Sequence, residues 1–531
     1  MKNIFLIFLI SLLSFLSTNA QRTDLIYSAE KLPEKDISKC KLEILTNGNT
    51  ANVGINESFG LFCTLYDTNK KTIAHTIVPV KFEIENIILT SVFEINNEVV
   101  VMLYTYDKNI PTLSRYIFDG FTGKLKKEEI ILEKPAAKTL RIVSEKELMY
   151  RVSSEIVVQK DPNSNYYAVG YFDYYAADIN KNIEVIHYSP THEIVSRAYL
   201  THPDSKYLRS HYVALYVNGG NSVILSTFLY NVEKEQESCF YLSELKAGVA
   251  NFRSVKAAIE TKFYLPAEAM FIFNKVTNKV LLLSVAYANG EKGKIGGYHI
   301  ISQTLNLETL ALTEYINLYS EKLDAAFIVA NSSDRHYSGF PQQYSINSKG
   351  NLIMLSEMGT YNYSYTGFDE IGISYWNPTG EDTYGEVIHY LHTQGTKIKS
   401  FIYARARNGR YTCGNYYDEF QETYLGLVSG TTNSYLFLNN TVERFKMPSK
   451  RPVNTPVLSS NPKFTSFIYT LNDAGIASKE YIFGEPVSET ETKYCRFNTA
   501  DYDPLTGLYA VIVVDKIKGK KTISVLWMNL K

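Results

Sequence analysis

Nine histidines are the residues in this chain most able to bind a metal ion, and two pairs of them are close in sequence. His389 and His392 lie in a run typical of a β-strand, where residues three apart point to opposite faces, so the two imidazoles should not share an ion. His187 and His192 flank the turn at 189–191 and could approach each other across it, but no third ligand has suitable spacing. We therefore predict no metal site and no cofactor.

Other reactive motifs are weak or missing in the sequence. There is no Gly-x-Ser-x-Gly, HExxH or EF-hand pattern, and residues 290–294 contain the residue types of a phosphate-binding loop without its spacing. Asp501 and Asp503 are interpreted as an acidic turn before a strand. A pair of carboxylates for glycoside cleavage stays open, because 55 Asp and Glu are available. We predict no catalytic residue and favour a protein that is not an enzyme.

Tyrosine is the one compositional excess, with 42 residues against 27 phenylalanines and 2 tryptophans. Strand formation and packing between sheets account for most of them. Two segments, 361–376 and 405–424, are different, because they combine aromatic residues and arginines in stretches that we interpret as long polar loops. Tyr and Arg are frequent anchors of protein interfaces, and aromatic rings also stack on sugars. The predicted partner-binding residues are Tyr361, Tyr363, Tyr365, Trp376, Arg405, Arg407, Arg410, Tyr416 and Tyr417.

The five cysteines are too few to act as a disulfide framework for a chain of 531 residues. Cys40 and Cys63 are the pair most able to form a bridge, because they are close in sequence and flank a predicted hairpin. Free buried thiols are an equally good interpretation. Both alternatives stay open at this point.

The N-terminus predicts export. Lys2 is followed by an apolar run from Ile4 to Leu16 and by small residues that end at Ala20, which is the pattern of a cleaved signal peptide over residues 1–20. No later run is long enough to be a membrane helix. With 54 Lys and Arg against 55 Asp and Glu, the charge is balanced, so a nucleic acid partner is not expected. The Ala20-Gln21 junction and the Asn/Lys/Ile-rich composition resemble exported proteins of Bacteroidota of the flavobacterial type.

The rest of the chain, residues 21–531, repeats one pattern: an apolar run, a turn rich in Asn and Gly, and a second apolar run. The clearest copy begins at Ser91, turns at Asn96-Asn97 and again at 119–124, and a similar hairpin closes the chain at 506–528. Seven or eight such units can be counted. Residues 446–463, which contain four prolines, are interpreted as an extended connection between units.

A sheet of four strands with one apolar face cannot bury that face alone, and packing successive sheets around an axis solves this for all of them. The pattern therefore resembles a β-propeller of seven or eight four-stranded antiparallel blades, although no characterised propeller subfamily matches. Tandem β-sandwiches are the alternative. Between Leu245 and Phe263 the apolar residues recur every three or four positions, which predicts a short helical insertion in the third unit.

Two functions are compatible with these observations. The first is a non-catalytic exported scaffold that binds a protein partner, such as an accessory or plug-like periplasmic subunit of an outer-membrane transport or secretion complex. The second is a polysaccharide-binding or polysaccharide-degrading surface protein, so a glycan ligand stays possible. We expect the protein in the periplasm, at the outer membrane or outside the cell.

Overall fold

A computed structural model describes most of the chain. The described residues are 24–33, 37–56, 58–80, 87–107, 110–134, 155–173, 176, 178–231, 238–258, 269–288, 297–331, 336–362, 365–394, 404–407, 410–413, 425–442, 464–486 and 491–530. The predicted signal peptide and the Pro-rich segment lie outside these ranges. No helix within them is long and apolar enough to cross a bilayer.

Strands make up nearly all of the regular structure. The first half of the chain contains β1 (Ile26–Tyr27), β2 (Leu32–Pro33), β3 (Ile37–Ile44), β4 (Thr50–Asn56), β5 (Gly60–Tyr66), β6 (Thr72–Val78), β7 (Ile87–Ile95), β8 (Glu98–Asp107), β9 (Ile110–Asp119), β10 (Leu125–Glu133), β11 (Glu155–Lys160), β12 (Tyr167–Phe172), β13 (Ile183–Tyr188), β14 (Ile194–Tyr199), β15 (Arg209–Asn218), β16 (Ser222–Tyr230), β17 (Ser238–Lys246) and β18 (Arg253–Lys256). A 3-10 helix, Ile179–Lys181, precedes β13.

The second half contains β19 (Ala269–Asn274), β20 (Lys279–Ala288), β21 (Gly297–Leu305), β22 (Ile316–Asn317), the helix α1 (Glu321–Asn331), β23 (Phe340–Ile346), β24 (Leu352–Asn362), β25 (Tyr365–Trp376), β26 (Asp382–Gln394), β27 (Ala404–Arg407), β28 (Arg410–Cys413), β29 (Leu425–Ser429), β30 (Ser434–Thr441), β31 (Phe464–Asn472), β32 (Gly475–Tyr481), β33 (Glu491–Asp503), β34 (Leu508–Ile517) and β35 (Lys520–Asn529).

Hydrogen bonding groups the described strands into seven sheets, and one of these sheets contains two meanders. That nine-stranded sheet is joined between β31 and β33 by a single parallel pair, Thr465 opposite Lys493. The described chain therefore forms eight units of four antiparallel strands: β3–β6, β7–β10, β11–β14, β15–β18, β19–β22, β23–β26, β29–β32, and β33–β35 completed by β1. We number them units 1 to 8 in this order.

The inner strands show why the apolar runs are continuous. In β8, Val99 and Val101 face a cluster shared with unit 1, whereas Val100 and Met102 face a cluster shared with unit 3. Successive side chains of a strand point to opposite faces, so a strand with sheets on both sides must be apolar at every position. Sequence alternation is lost for that reason.

Each pair of neighbouring units shares a hydrophobic cluster. The contributors include Val53 and Val101 for units 1 and 2, Val100 and Val169 for 2 and 3, Val185 and Leu225 for 3 and 4, Ile224 and Val280 for 4 and 5, Leu283 and Met354 for 5 and 6, Ile371 and Leu436 for 6 and 7, Phe437 and Val511 for 7 and 8, and Trp527 and Leu42 for 8 and 1. The last cluster joins unit 8 to unit 1, so the eight units form a closed ring. The fold is an eight-bladed β-propeller, which confirms the predicted fold class.

The N-terminal segment completes the last blade. Ile26 lies opposite Trp527 in β35, and Leu32 of β2 pairs with the same strand opposite Ile523. Ser28 joins this seam twice: its N–H donates to Val525 O (2.9 Å), and its Oγ accepts from Val525 N (3.0 Å). The residues that directly follow the predicted cleavage site thus hold the two ends of the chain together.

The helical prediction for residues 245–263 is wrong where the structure describes them. Leu245 lies in β17 and Val255 in β18, and residues beyond 258 are outside the described ranges. The three- and four-residue spacing arose because Leu245 packs against unit 3 while Val255 packs against unit 5. The α-helix in the described part of the chain is α1, between units 5 and 6. It approaches β26 so closely that a Cβ on Gly385 would lie 2.0 Å from Leu323 N.

Of the two alternatives left open for Cys40 and Cys63, the structure has the free thiols and not the bridge. Cys40 lies opposite Gly54 in β4, and Cys63 lies opposite Val53. The two cysteines are therefore separated by a whole strand and point to opposite faces of unit 1. Two strand spacings are about 9–10 Å, which exceeds the reach of a disulfide.

The Pro-rich segment was predicted to connect two blades. Its own residues, 446–463, lie outside the described ranges, but the strands on either side of it are hydrogen-bonded neighbours in unit 7, where Thr441 lies opposite Phe464. The segment therefore connects the second and third strands of one blade.

Candidate functional site

The two faces of the disc carry different kinds of connection. One face, the turn face, carries the turns within each unit between its first and second and between its third and fourth strands. These turns are short, as at 96–97, 347–351 and 473–474. At the other face, the loop face, lie the strand ends from which the chain passes to the next unit or from a second to a third strand, and several of these connections are long in sequence, as after Glu133, Gln394 and Thr441. Binding residues are commonly found on such long connections, so the loop face is the first candidate.

The predicted partner-binding residues of segment 361–376 fall on strands, not on a loop. Tyr361 is the second-to-last residue of β24 and Tyr365 begins β25, so both flank a hairpin turn that extends unit 6 at the loop face. Trp376 is at the opposite end of β25. Its side chain is only 1% exposed and packs between units 5 and 6, so it supports the core and does not offer a surface anchor. Tyr363 lies outside the described ranges.

Segment 405–424 also contains strand structure. Arg405 and Arg407 lie in β27 and Arg410 begins β28, whereas Tyr416 and Tyr417 are outside the described ranges. Residue Arg410 lies opposite Gln343 of β23, the innermost strand of unit 6. The arginine hairpin therefore adds to the inner edge of that blade, near the axis of the disc. The structure brings both predicted segments to unit 6, one at the hairpin that extends the loop face and one along the innermost strand.

A cleft that the sequence did not predict lies on the turn face between units 2 and 3. It has a volume of about 450 Å³ and is lined by Asn96, Glu98, Ile117, Lys126, Lys127, Pro190, Thr191 and His192. Ion pairs cross its wall, with Glu98 bound to Lys126, and Glu129 bound to Lys127 at 2.9 Å. The two lysines are about half exposed, so their ammonium groups face the solvent in the cleft.

A buried arginine supports the cleft from below. The Arg115 side chain is 2% exposed and donates to Glu129 through Nε (2.8 Å), to the Tyr167 hydroxyl, and to the His192 carbonyl (3.1 Å). Its guanidinium also lies over the ring of Tyr188, 4.7 Å from the centroid. Burying this charge is tolerable because a carboxylate and two oxygen acceptors surround it. The single Arg in the apolar strand β9 was the signal that sequence reasoning missed.

His192 connects this buried network to the cleft wall. Its backbone has φ = +66°, and its ring binds Tyr167 Oη through Nδ1 (3.0 Å) and Glu98 through Nε2 (2.9 Å). A carboxylate can only accept, so Nε2 carries the proton and Nδ1 accepts from Tyr167. Burial lowers the pKa of His192, although the hydrogen bond to Glu98 opposes the shift, so the neutral ring is favoured.

His187 and His192, which the sequence allowed to approach each other across the turn, have separate partners. The His187 ring lies against unit 4, where its Nε2 contacts Gly219 O at 2.9 Å, while His192 faces unit 2. His389 is buried beside Glu370 within unit 6. In the described part of the chain, no three His, Cys, Asp or Glu side chains come close enough together to hold a metal ion.

A second polar cluster surrounds α1. The Asp324 carboxylate accepts from the Tyr319 hydroxyl, from His336 Nδ1 and from Tyr337 N (2.6 Å). Tyr337 in turn donates to Ser356 O (2.7 Å) and accepts from Gly372 N (2.8 Å). These bonds attach the connection after unit 5 to the strands of unit 6. We assign the cluster to the fold for that reason.

Comparison with known proteins gives a fold resemblance only. No family model and no curated protein matches the sequence. Among solved structures, the polysaccharide lyase Uly1 is 10% identical with a TM-score of 0.40, covering 83% of this chain and 90% of that one. The WD40 domain of SCAP from fission yeast is 8% identical with a TM-score of 0.36, covering 94% and 97%. An endo-arabinase from Bacteroides thetaiotaomicron is 11% identical with a TM-score of 0.28, covering 59% and 96%. These values are too low to carry an activity to this chain.

Proposed function

We propose that the protein is a non-catalytic exported scaffold that binds a protein partner through the loop face of unit 6. Within the envelope, it would act as an accessory or plug-like periplasmic subunit of an outer-membrane transport or secretion complex. The observation that supports this most is the pair of hairpins, β24–β25 and β27–β28, which place the Tyr361/Tyr365 and Arg405/Arg407/Arg410 positions in the sheet of one blade.

Strand geometry gives these hairpins a way to bind a polypeptide. β27 is the last strand in the order of its sheet, and its one hydrogen-bonded neighbour among the described strands is β28. An edge strand offers backbone N–H and C=O groups that a partner strand can pair with. Arg405 and Arg407 occupy alternate positions of β27, and arginines on such an edge strand suit an acidic partner strand.

A second candidate is a polysaccharide-binding or polysaccharide-degrading surface protein. The cleft between units 2 and 3 favours it, because its wall combines ammonium groups, one carboxylate and a hydroxyl with an apolar surface. Such a mixture suits ligands with many hydroxyl groups. The two candidates use opposite faces of the disc, so they can be tested separately.

A site-specific crosslinking experiment tests the scaffold proposal. A photoreactive residue is placed at Tyr361 or Arg407 on the loop face and, as a matched control, at Leu505, which is 90% exposed on the turn face. After irradiation of cells of the producing organism, we expect one envelope protein joined to the loop-face positions and absent from the Leu505 sample. Alanine at Tyr361, Tyr365, Arg405, Arg407 and Arg410 should abolish co-purification of that protein. Equal crosslinking from both faces, or unchanged co-purification, would contradict the proposal.

A further inference from the structure

The cleft on the turn face between units 2 and 3 is rigid and carries a net positive charge. Three cations, Arg115, Lys126 and Lys127, meet two carboxylates, Glu98 and Glu129. Arg115 is buried and binds Glu129, and neither residue lines the cleft. What faces the ligand space is therefore two ammonium groups and one carboxylate.

The cleft wall is held in place by buried contacts. His192 keeps a left-handed backbone because its ring binds Glu98 and Tyr167 and its carbonyl accepts from Arg115. Asn96 joins the two blades across the cleft, since its Nδ2 donates to Pro190 O at 3.2 Å. A wall fixed in this way loses little conformational freedom when a ligand binds.

The exposed groups define the ligand chemistry. Each lysine ammonium has three donors and one carboxylate partner in this cluster, so donors remain for an anionic ligand group. The Glu98 carboxylate can only accept hydrogen bonds, so it suits the hydroxyl groups of a ligand, which can donate them. Pro190 and Ile117 give a small apolar surface for the C–H face of a ring. An acidic sugar offers a carboxylate, hydroxyls and an apolar ring face together.

We propose that this cleft is a binding site for an acidic saccharide, with a uronate carboxylate on Lys126 and Lys127 and sugar hydroxyls on Glu98 and Thr191. The site lies on the face opposite to the hairpins of unit 6. It does not depend on the protein partner proposed above.

Calorimetric titration of the full chain with an oligogalacturonate tetramer tests this site. We expect saturable binding that is weakened on the order of tenfold or more when Lys126→Met and Lys127→Met are combined, because two charge-assisted contacts are lost. The control combines Lys124→Met and Lys520→Met, which removes the same charge from exposed positions outside the cleft and should bind as the wild type does. The methyl-esterified tetramer, which lacks the negative charge, should bind much more weakly.

Several results would overturn the proposal. These are no saturable binding of the tetramer, equal binding of its ester, or equal binding by the Lys126/Lys127 variant and the control. Binding of hexaglutamate as tightly as the tetramer would show an acidic-peptide site instead. Should the double lysine variant fail to fold, Thr191→Glu at the exposed turn adds a negative charge to the cleft. It is expected to weaken binding by a similar factor, and unchanged binding would again contradict the site.

Discussion

Replacing Trp527 by alanine tests whether the first and last blades are in contact. The Trp527 side chain is fully buried, and its Nε1 donates to Thr50 Oγ1 in unit 1 at 3.0 Å. Its ring packs edge-on against Tyr66, 5.0 Å between centroids. Removing a buried Trp costs about 3–5 kcal/mol, and a buried hydroxyl left without its partner adds about 1–3 kcal/mol. We expect the free energy of unfolding to fall by about 4–8 kcal/mol.

The measurement is guanidinium chloride unfolding followed by far-UV circular dichroism, with the change in free energy taken from the midpoint and slope. Trp376→Ala is the matched control, because Trp376 is equally buried at the interface of units 5 and 6 and should cost about 3–5 kcal/mol. Trp527→Phe keeps an aromatic ring beside Tyr66 but loses the N–H, so its effect should be smaller than that of alanine. If the blades formed an open array, Trp527 would lie on an exposed end face. A loss below about 1 kcal/mol for Trp527→Ala, beside a large loss for Trp376→Ala, would refute the closed ring.

Two further predictions concern titratable groups. Burial raises the pKa of Cys40 to about 11 and the pKa of Cys63 and Cys495 to about 12. All three thiols should therefore resist iodoacetamide at neutral pH and react when the protein unfolds. Rapid labelling of the native protein, or a Cys40–Cys63 bridge in a non-reduced peptide map, would contradict this. Because the folded pKa of His192 is below its unfolded value, near 6.5, its contribution to stability is complete above that pH and is lost as the pH falls through the folded pKa. Asn tolerates the left-handed backbone and does not titrate. The His192→Asn variant should therefore lose less stability than the wild type on acidification below pH 6.5, as measured by urea midpoints. Identical pH profiles of the two proteins would contradict this role of His192.

The strands and turns of the blades could be predicted from sequence because their causes are local. Asn96 and Asn97 both adopt positive φ, 52° and 63°, as a two-residue hairpin requires, and Asn tolerates that conformation. The apolar runs on either side then give strands. Blade number could be bounded for the same reason, since each blade repeats these signals.

The failures share a different cause, because they depend on which strands become neighbours. The arrangement of Cys40 and Cys63 requires the register of three strands, and residues 245–255 alternate between two interfaces that sequence spacing cannot separate. The loop interpretation of 361–376 failed because polar and aromatic residues also extend a strand beyond the core of its blade.

The cleft was missed for a related reason. Arg115, Glu129, Tyr167 and His192 come from two blades and meet only when the disc closes between units 2 and 3. The sequence did single out His192, but it suggested His187 as the neighbour. A histidine next to a turn has no visible partner until the adjacent blade is in place.

The most direct test of the closed ring is the fluorescence of Trp527. It is measured in the variant Trp376→Phe, which leaves Trp527 as the one tryptophan of the chain. We predict short-wavelength emission and slow quenching by acrylamide in the full chain, because β1, unit 1 and unit 8 enclose the indole. Deleting residues 24–33, which contain β1 and β2, should shift the emission to longer wavelength and increase quenching. Emission and quenching like those of free tryptophan in the full chain would contradict the account.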